Sequence, residues 1–287
     1  MRKLADDLEK CGLTDSSIFK SLTCPKSTSQ DDVEMTESID DRLSAHLLSS
    51  SNLLFESVHA NKIRGDPFFV DKINITRENA LDVFQATIGQ SCNTRWYKER
   101  KHRISSSMCL QMSRAKKPST MLTYFFGMDT DNKHMQYGRK MEPLAVEQYE
   151  KRTGRKVLHC GLVIKPDQPW LCGSPDGVSF GPDGSPRLLE VKCPSSCENK
   201  VISVSYLVDG SLKKTHPYYA QTQMQMYVAN VGQSDFFVFS QCDSIVLTVV
   251  FDQEFVKNLV TKLESLYAQE ILPVLNEQSD EPSAYGE

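Results

Sequence analysis

The sequence predicts an α/β domain with a central mixed β-sheet flanked by helices. Two observations carry that expectation. Apolar strand-like runs, KVLHCGLVIKP at 156–166, WLCGSPDGVSF and RLLEVKCP within 170–194, then FFVFSQ and SIVLTVVF, are bounded by clusters of Gly, Pro and Asp. Helical patterns lie between and around them, giving the order helices, three strands, helix, two strands, helix. A composition of 39% hydrophobic and 24% charged residues over 287 positions is that of a globular protein with ample material for a core.

Residues 1–75 read as an N-terminal extension, partly disordered or helical. SLTCPKSTSQDDVEMTESIDD is polar, one short helix is expected near Leu4 to Leu13, and residues 43–75 carry apolar clusters without a clean period. Thr76 then has the position of an N-cap, with ITRENALDVFQATIG following as an amphipathic helix. In SCNTRWYKERKHRISSSMCLQM, Trp96, Arg100 and Arg103 fall at helical spacings before Ile104 to Ser107 interrupt. After Gly138 a helix places Met141, Leu144, Ala145 and Tyr149 on one side and stops at Gly154. The strand at 156–166 leads into a hairpin at 170–194. HPYYAQTQMQMYVANVG forms a helix that brings Tyr218, Gln221 and Gln225 nearly onto one line. Two further strands precede the closing amphipathic helix DQEFVKNLVTKLESLYAQEIL, and NEQSDEPSAYGE is a flexible tail. The main domain is therefore expected at 76–275, with the tail at 276–287.

The formal net charge is −4, which does not advertise a nucleic-acid binder, but its distribution is uneven. From Arg95 to Lys117 the chain carries Arg95, Lys98, Arg100, Lys101, Arg103, Arg114, Lys116 and Lys117 against the lone acid Glu99. That face suits phosphate, and equally suits a solvated helix. Serines 105–107 beside it could cradle a phosphate or simply cap a helix. No apolar run reaches the roughly 18 residues of a membrane span. The opening MRKLADDLEKCG lacks the apolar core of a signal peptide, which predicts an intracellular protein, nuclear or cytoplasmic. Nine scattered cysteines suggest reduced thiols.

The hairpin carries the chemistry. On a strand, residues two apart share a face, so Glu190 and Lys192 point one way while Leu189, Val191 and Cys193 point the other. Asp176 follows a proline in the preceding strand. Two carboxylates converging beside one lysine among apolar neighbours suggest a divalent-metal site, because a buried carboxylate needs a partner. Other acidic-x-Lys triplets, such as Glu99-Arg100-Lys101 and Glu198-Asn199-Lys200, lie in polar surroundings and read as surface. Glu142 opens the helix after Gly138, where a glutamate is commonly a dipole partner. His159, Cys160, Cys172, Cys193 and Cys197 raise a zinc or iron–sulfur reading, but no CxxC pair exists and buried strand thiols explain them better.

Several motifs occur in a fixed order. They are Trp96-x3-Arg100 with Ile104 to Ser107, Gly138-x3-Glu142-Pro143 with Tyr149 and Thr153-Gly154, and Gly173-Ser174-Pro175-Asp176-Gly177. Leu189-Glu190-Val191-Lys192-Cys193-Pro194 and Tyr218-x2-Gln221-x-Gln223 complete the set. Over about residues 76–270 this order resembles the YqaJ-type viral recombinase family, which includes phage lambda-type alkaline exonucleases of the Pro-Asp…Glu-x-Lys nuclease superfamily. The resemblance implies a restriction-endonuclease-like core and a Mg²⁺- or Mn²⁺-dependent nuclease, working 5′ to 3′ on duplex DNA ends in recombination or repair. It implies Asp176 and Glu190 as main metal ligands, the Val191 carbonyl and Glu142 as further ones, and Lys192 as the group that holds and polarises the attacking water. Gln221 and Tyr218 would position water or phosphate. Arg100 and Ser107 would grip the 5′-terminal phosphate, with Trp96 and Arg103 close by. A homotrimeric ring is the implied assembly. The alternatives are a catalytically silent DNA- or protein-binding module on the same fold, or an endonuclease of the same chemistry.

Overall fold

The computed structural model describes residues 39–49, 53–127 and 132–280. The helix expected near Leu4 to Leu13 and the chain beyond residue 280 lie outside the described residues.

Helices α1 (Ile39–Leu48), α2 (Ala60–Arg64), α3 (Arg77–Ala86) and α4 (Thr94–Arg100) come first, followed by the short strand β1 (Ile104–Ser105). Helices α5 (Cys109–Arg114), α6 (Pro118–Phe126) and the long α7 (Lys133–Thr153) precede β2 (Val163–Ile164), β3 (Leu171–Gly173), β4 (Gly177–Phe180) and β5 (Pro186–Lys192). A small ribbon, β6 (Leu207–Val208) and β7 (Ser211–Leu212), leads to α8 (Pro217–Ala229), β8 (Gln233–Phe239), β9 (Ser244–Val250), α9 (Gln253–Leu266) and α10 (Leu272–Asp280).

The central sheet has the order β4-β5-β8-β9 and is mixed: β5 and β8 are parallel, while the other two pairs are antiparallel. A parallel pair needs a crossover, and the ribbon plus α8 supply it. Alternation along β5 sorts its two faces. Leu189 and Val191, with Phe237 of β8, pack on Ala145, Val146 and Tyr149 of α7. Leu188 and Phe236 face the main core, to which α8 contributes Ala220, Met224 and Tyr227. The sheet is thus covered by α7 on one face and α8 on the other, and Glu190 shares the α8 face with Leu188. A second sheet, β1-β3-β2, stands beside it.

Local signals account for several boundaries. Thr76 caps α3 by accepting from the Asn79 amide at 3.2 Å. Gly154 ends α7 in the left-handed region at φ +70°. Helix α7 starts earlier than Gly138, however, because Asn132 accepts from the His134 and Met135 amides at 3.0 Å each. The expected strand at 156–166 is mostly irregular: only Val163–Ile164 pairs in a ladder, and Leu158 makes an isolated bridge to Val178. The cause is a close approach. A Cβ on Gly161 would lie 1.8 Å from the Phe84 carbonyl oxygen, and the Leu162 amide donates to Thr87 Oγ1 at 2.7 Å instead of to a strand.

Within 60–75, Ile63, Phe68, Phe69 and Ile73 are buried in the main core. At the other end the chain stays helical through Asp280, with Leu275 buried and Asn276 donating to Asp66 at 2.8 Å. Asp235 on β8 is fully buried and answered by Arg155 at 2.8 Å, Arg187 at 2.9 Å, Tyr149 at 2.7 Å and Thr248 at 2.8 Å, which ties α7 to three strands. Among the described residues no helix is long and apolar enough to cross a membrane.

Candidate active site

The β4–β5 hairpin forms as its sequence demands, with Gly177 opposite Leu189 and Phe180 opposite Pro186. Asp176 sits just before β4, where its amide donates to the Leu189 carbonyl at 3.0 Å and its Oδ2 accepts from the Val191 amide at 2.7 Å. Val191 therefore meets the site through its N–H, with its side chain in the α7 core. On the next strand Glu190 is 1% exposed. Its Oε1 accepts from Lys192 Nζ and from Gln221 Nε2 at 2.6 Å, and its Oε2 accepts from Gln225 Nε2 at 2.7 Å. The Lys192 ammonium also stands 4.7 Å from the Tyr218 ring centroid. Glu142 comes from α7, beside Pro143, whose missing N–H interrupts the helical ladder at that point.

Helix α8 meets Glu190 because it is pinned at both sides. His216 caps it by accepting from the Tyr218 amide at 3.2 Å, and Gln223 bridges to the Val250 carbonyl and the Asp252 amide at 2.8 Å each.

Three carboxylates crowd one lysine. Burial, then the Glu190 charge, pushes Glu142 up to about 7. Burial, then the charges of Glu190 and Glu142, holds Asp176 well above the usual carboxylate range. Burial alone would pull Lys192 down, but Glu190 and Asp176 outweigh it and hold the ammonium above its ordinary value. Lys192 is therefore an ammonium in the cation-free site.

Asp176, Glu142, Lys192 and Tyr218 line an open cleft of about 970 Å³ together with Trp96 and Arg139. Among the described residues no three His, Cys, Asp or Glu side chains close around one point. The acids form an open edge rather than a cage. That arrangement fits Mg²⁺ or Mn²⁺, hard ions that take a few carboxylate oxygens and keep waters or substrate phosphate as remaining ligands. Glu142 and Asp176 are raised first by burial and then by neighbouring carboxylates, a negative charge that a divalent cation would offset. Cys160, Cys172 and Cys197 are buried free thiols.

The basic segment splits in two. The Arg100 guanidinium lies over the Trp96 ring at 4.0 Å and donates to Ser105 Oγ at 3.2 Å, and Ser105 Oγ is 3.0 Å from Ser107 Oγ. Ser107 is exposed. The Trp96 indole donates to Ser174 Oγ at 2.8 Å, two residues before Asp176, so this group is joined to the carboxylate edge. Arg103, expected with them, is only 4% exposed and faces away. It donates to the Ile73 carbonyl at 2.8 Å and to the Pro169 carbonyl, and pairs with Glu99. Its place is structural, because buried carbonyls have claimed its donors. Gln225 is the residue to which sequence reasoning gave no role; its alignment with Tyr218 and Gln221 on one helix face was the available signal.

Comparison with known proteins follows the same outline. Residues 95–232 match the family model of the YqaJ-like viral recombinase domain. The uncharacterized protein R354 of Acanthamoeba polyphaga mimivirus is 31% identical over 113 residues, which is 37% of this chain and only 20% of that protein. This chain therefore aligns with about a fifth of that relative's length. Among solved structures, the alkaline exonuclease LHK-Exo of Laribacter hongkongensis superposes with a TM-score of 0.52 at 21% identity, covering 64% of this chain and 96% of that one. LHK-Exo in complex with dAMP gives 0.51 at 21% identity, with the same coverage. Both are likenesses of fold, in keeping with the restriction-endonuclease-like core that the family resemblance implied. Every site residue named from the sequence, from Trp96 to Gln221, falls within residues 95–232, the stretch that is similar to the YqaJ-like viral recombinase domain.

Proposed function

We propose that this protein is a Mg²⁺- or Mn²⁺-dependent deoxyribonuclease that degrades duplex DNA from 5′ ends during recombination or repair. The observation that carries the reading is the convergence of Asp176, Glu190 and Lys192 at one end of the central sheet, with Glu142 on the opposing helix and Gln221 on α8. Asp176 and Glu190, with Glu142 and the Val191 carbonyl, would hold the cation. When bound, it would offset charge developing on the phosphate and lower the pKa of water.

The chain's own residues supply the rest. Lys192 and Gln221 donate to Glu190 Oε1 in this structure, and both are placed to transfer those donors to the attacking water or to a phosphate oxygen. Lys192, an ammonium in the cation-free site, would hold and polarise the attacking water and stabilise the phosphate electrostatically. Tyr218 backs the ammonium and limits its freedom. Arg100, stiffened by stacking on Trp96, and the exposed Ser107 hydroxyl offer donors for a terminal 5′-phosphate. The catalytic unit is taken as residues 76–275 with residues 60–73 packed against it, and a trimeric ring remains the expected assembly.

The test is degradation of linear duplex DNA with Mg²⁺, comparing 5′-phosphorylated ends, 5′-hydroxyl ends and closed circles for wild type and Glu190→Ala. Loss of linear DNA alone, faster with the 5′-phosphate and absent in the variant, is the expected result. DNA binding without cleavage by wild type would replace this reading with that of a silent binding module, and nicking of closed circles would replace it with an endonuclease.

A further inference from the structure

The two oxygens of Glu190 are held differently. Oε1 accepts from Lys192, which lines the cleft, and from the half-buried Gln221. Oε2 is bound from the interior by Gln225, which is 1% exposed. The same Gln225 Nε2 lies 3.3 Å from the Ser174 carbonyl, in the turn that presents Asp176, so one amide ties together the segments bearing both carboxylates. Gln225 Oε1 has no hydrogen-bond partner among the described residues, and the placement of the amide is therefore set by what its nitrogen donates to. Its neighbours leave it little room to swing: a Cβ on Gly173 would stand 3.5 Å from Gln225 Cγ and 3.7 Å from its Cα.

We propose that Gln225 is a positioning residue that keeps Glu190 Oε2 occupied, so that Oε1, once Lys192 and Gln221 turn to water or phosphate, is the oxygen that meets a cation, and thereby favours Mg²⁺ or Mn²⁺ over Ca²⁺. This rests on the metal-dependent nuclease reading. Mg²⁺ demands near-octahedral geometry from single oxygens, whereas Ca²⁺ takes six to eight oxygens and often both from one carboxylate. A carboxylate with one oxygen tied inward suits the smaller ion. Partners behind a ligand commonly change metal affinity by about 10–100-fold when removed.

Gln225→Met keeps most of the side-chain volume and removes the donor. Calorimetric titration of the full chain with Mg²⁺ and with Ca²⁺ reads the outcome without reference to turnover. The expected result is a shift of the Ca²⁺/Mg²⁺ affinity ratio by about 10-fold toward Ca²⁺, read below the melting temperature in chelator, which the lost bond to a buried carboxylate lowers. Gln225→Leu gives the same readout should the methionine variant fail to fold. A ratio unchanged in a folded variant, or an equal loss of both affinities, would overturn the proposal. Wild type that degrades DNA while the ratio stays fixed overturns only the role of Gln225; wild type that neither binds Mg²⁺ nor cuts DNA overturns the nuclease reading as well.

Discussion

Replacing Glu142 by glutamine should stabilise the cation-free protein while disabling it. Glu142 has an ordinary value of 4.5 that burial and then the Glu190 charge raise to about 7. For a carboxyl shifted upward, the neutral form is the one the fold favours. Stability is full below pH 4.5 and is lost as pH climbs toward 7, where the folded state must ionise in its turn. Above that window the penalty levels off on the order of 3 kcal/mol, since each unit of displacement is worth about 1.4 kcal/mol. The substituted amide carries no charge at any pH and never incurs it. Denaturation in chelator should therefore show Glu142→Gln gaining over wild type across that window. The gain should level off at roughly 6–12 °C in melting temperature for a domain of this size. Mg²⁺ should in turn stabilise wild type more than the variant at about pH 8, because only wild type has the ionised group to relieve. A variant no more stable than wild type at about pH 8, or more stable by the same margin below pH 4.5, would refute the reasoning.

Arg100→Ala should remove discrimination between DNA ends. A charge-assisted hydrogen bond is worth about 1.5–3 kcal/mol, so the rate ratio of 5′-phosphorylated to 5′-hydroxyl duplex should fall by about 10–100-fold. An unchanged ratio would remove Arg100 from the grip. Asp235→Ala leaves Arg155 and Arg187 facing a buried gap on the α7 face of β8, and should cost about 3–5 kcal/mol in urea unfolding with specific activity retained in the surviving fold. A midpoint close to wild type would show that the two guanidiniums find other partners.

The parts of the fold legible in the sequence were those fixed by short-range chemistry. The β4–β5 hairpin, α8, β8, β9 and α9 each announce themselves by period and punctuation, and Thr76 and Gly154 by their caps. What escaped depends on contacts distant along the chain. Arg103 looked like a surface cation because its partners, the carbonyls of Ile73 and Pro169, lie 30 and 66 residues away. The run at 156–166 has the composition of a strand, yet Gly161 gives way to the end of α3, a collision no local pattern encodes. Residues 60–73 lack a period because they fill gaps in a core built by others. The first turn of α7 was hidden behind Gly138, which reads as a breaker although Asn132 had already capped the helix. In the site, spacing placed Glu190 and Lys192 on one face, but which of the α8 glutamines would reach Glu190 depended on the helix's rotation, set by packing.

The bond from Trp96 to Ser174 has a mechanical meaning. The indole under Arg100 is hydrogen-bonded to the turn from which Asp176 projects, so the Arg100 group and the carboxylate edge are directly linked. On the proposed nuclease reading, DNA would be measured with a rigid gauge rather than a tether: a terminus seated against Arg100 would present the same linkage to Asp176 and Glu190 at every turnover. Uniform step length would then come from the stiffness of one strut.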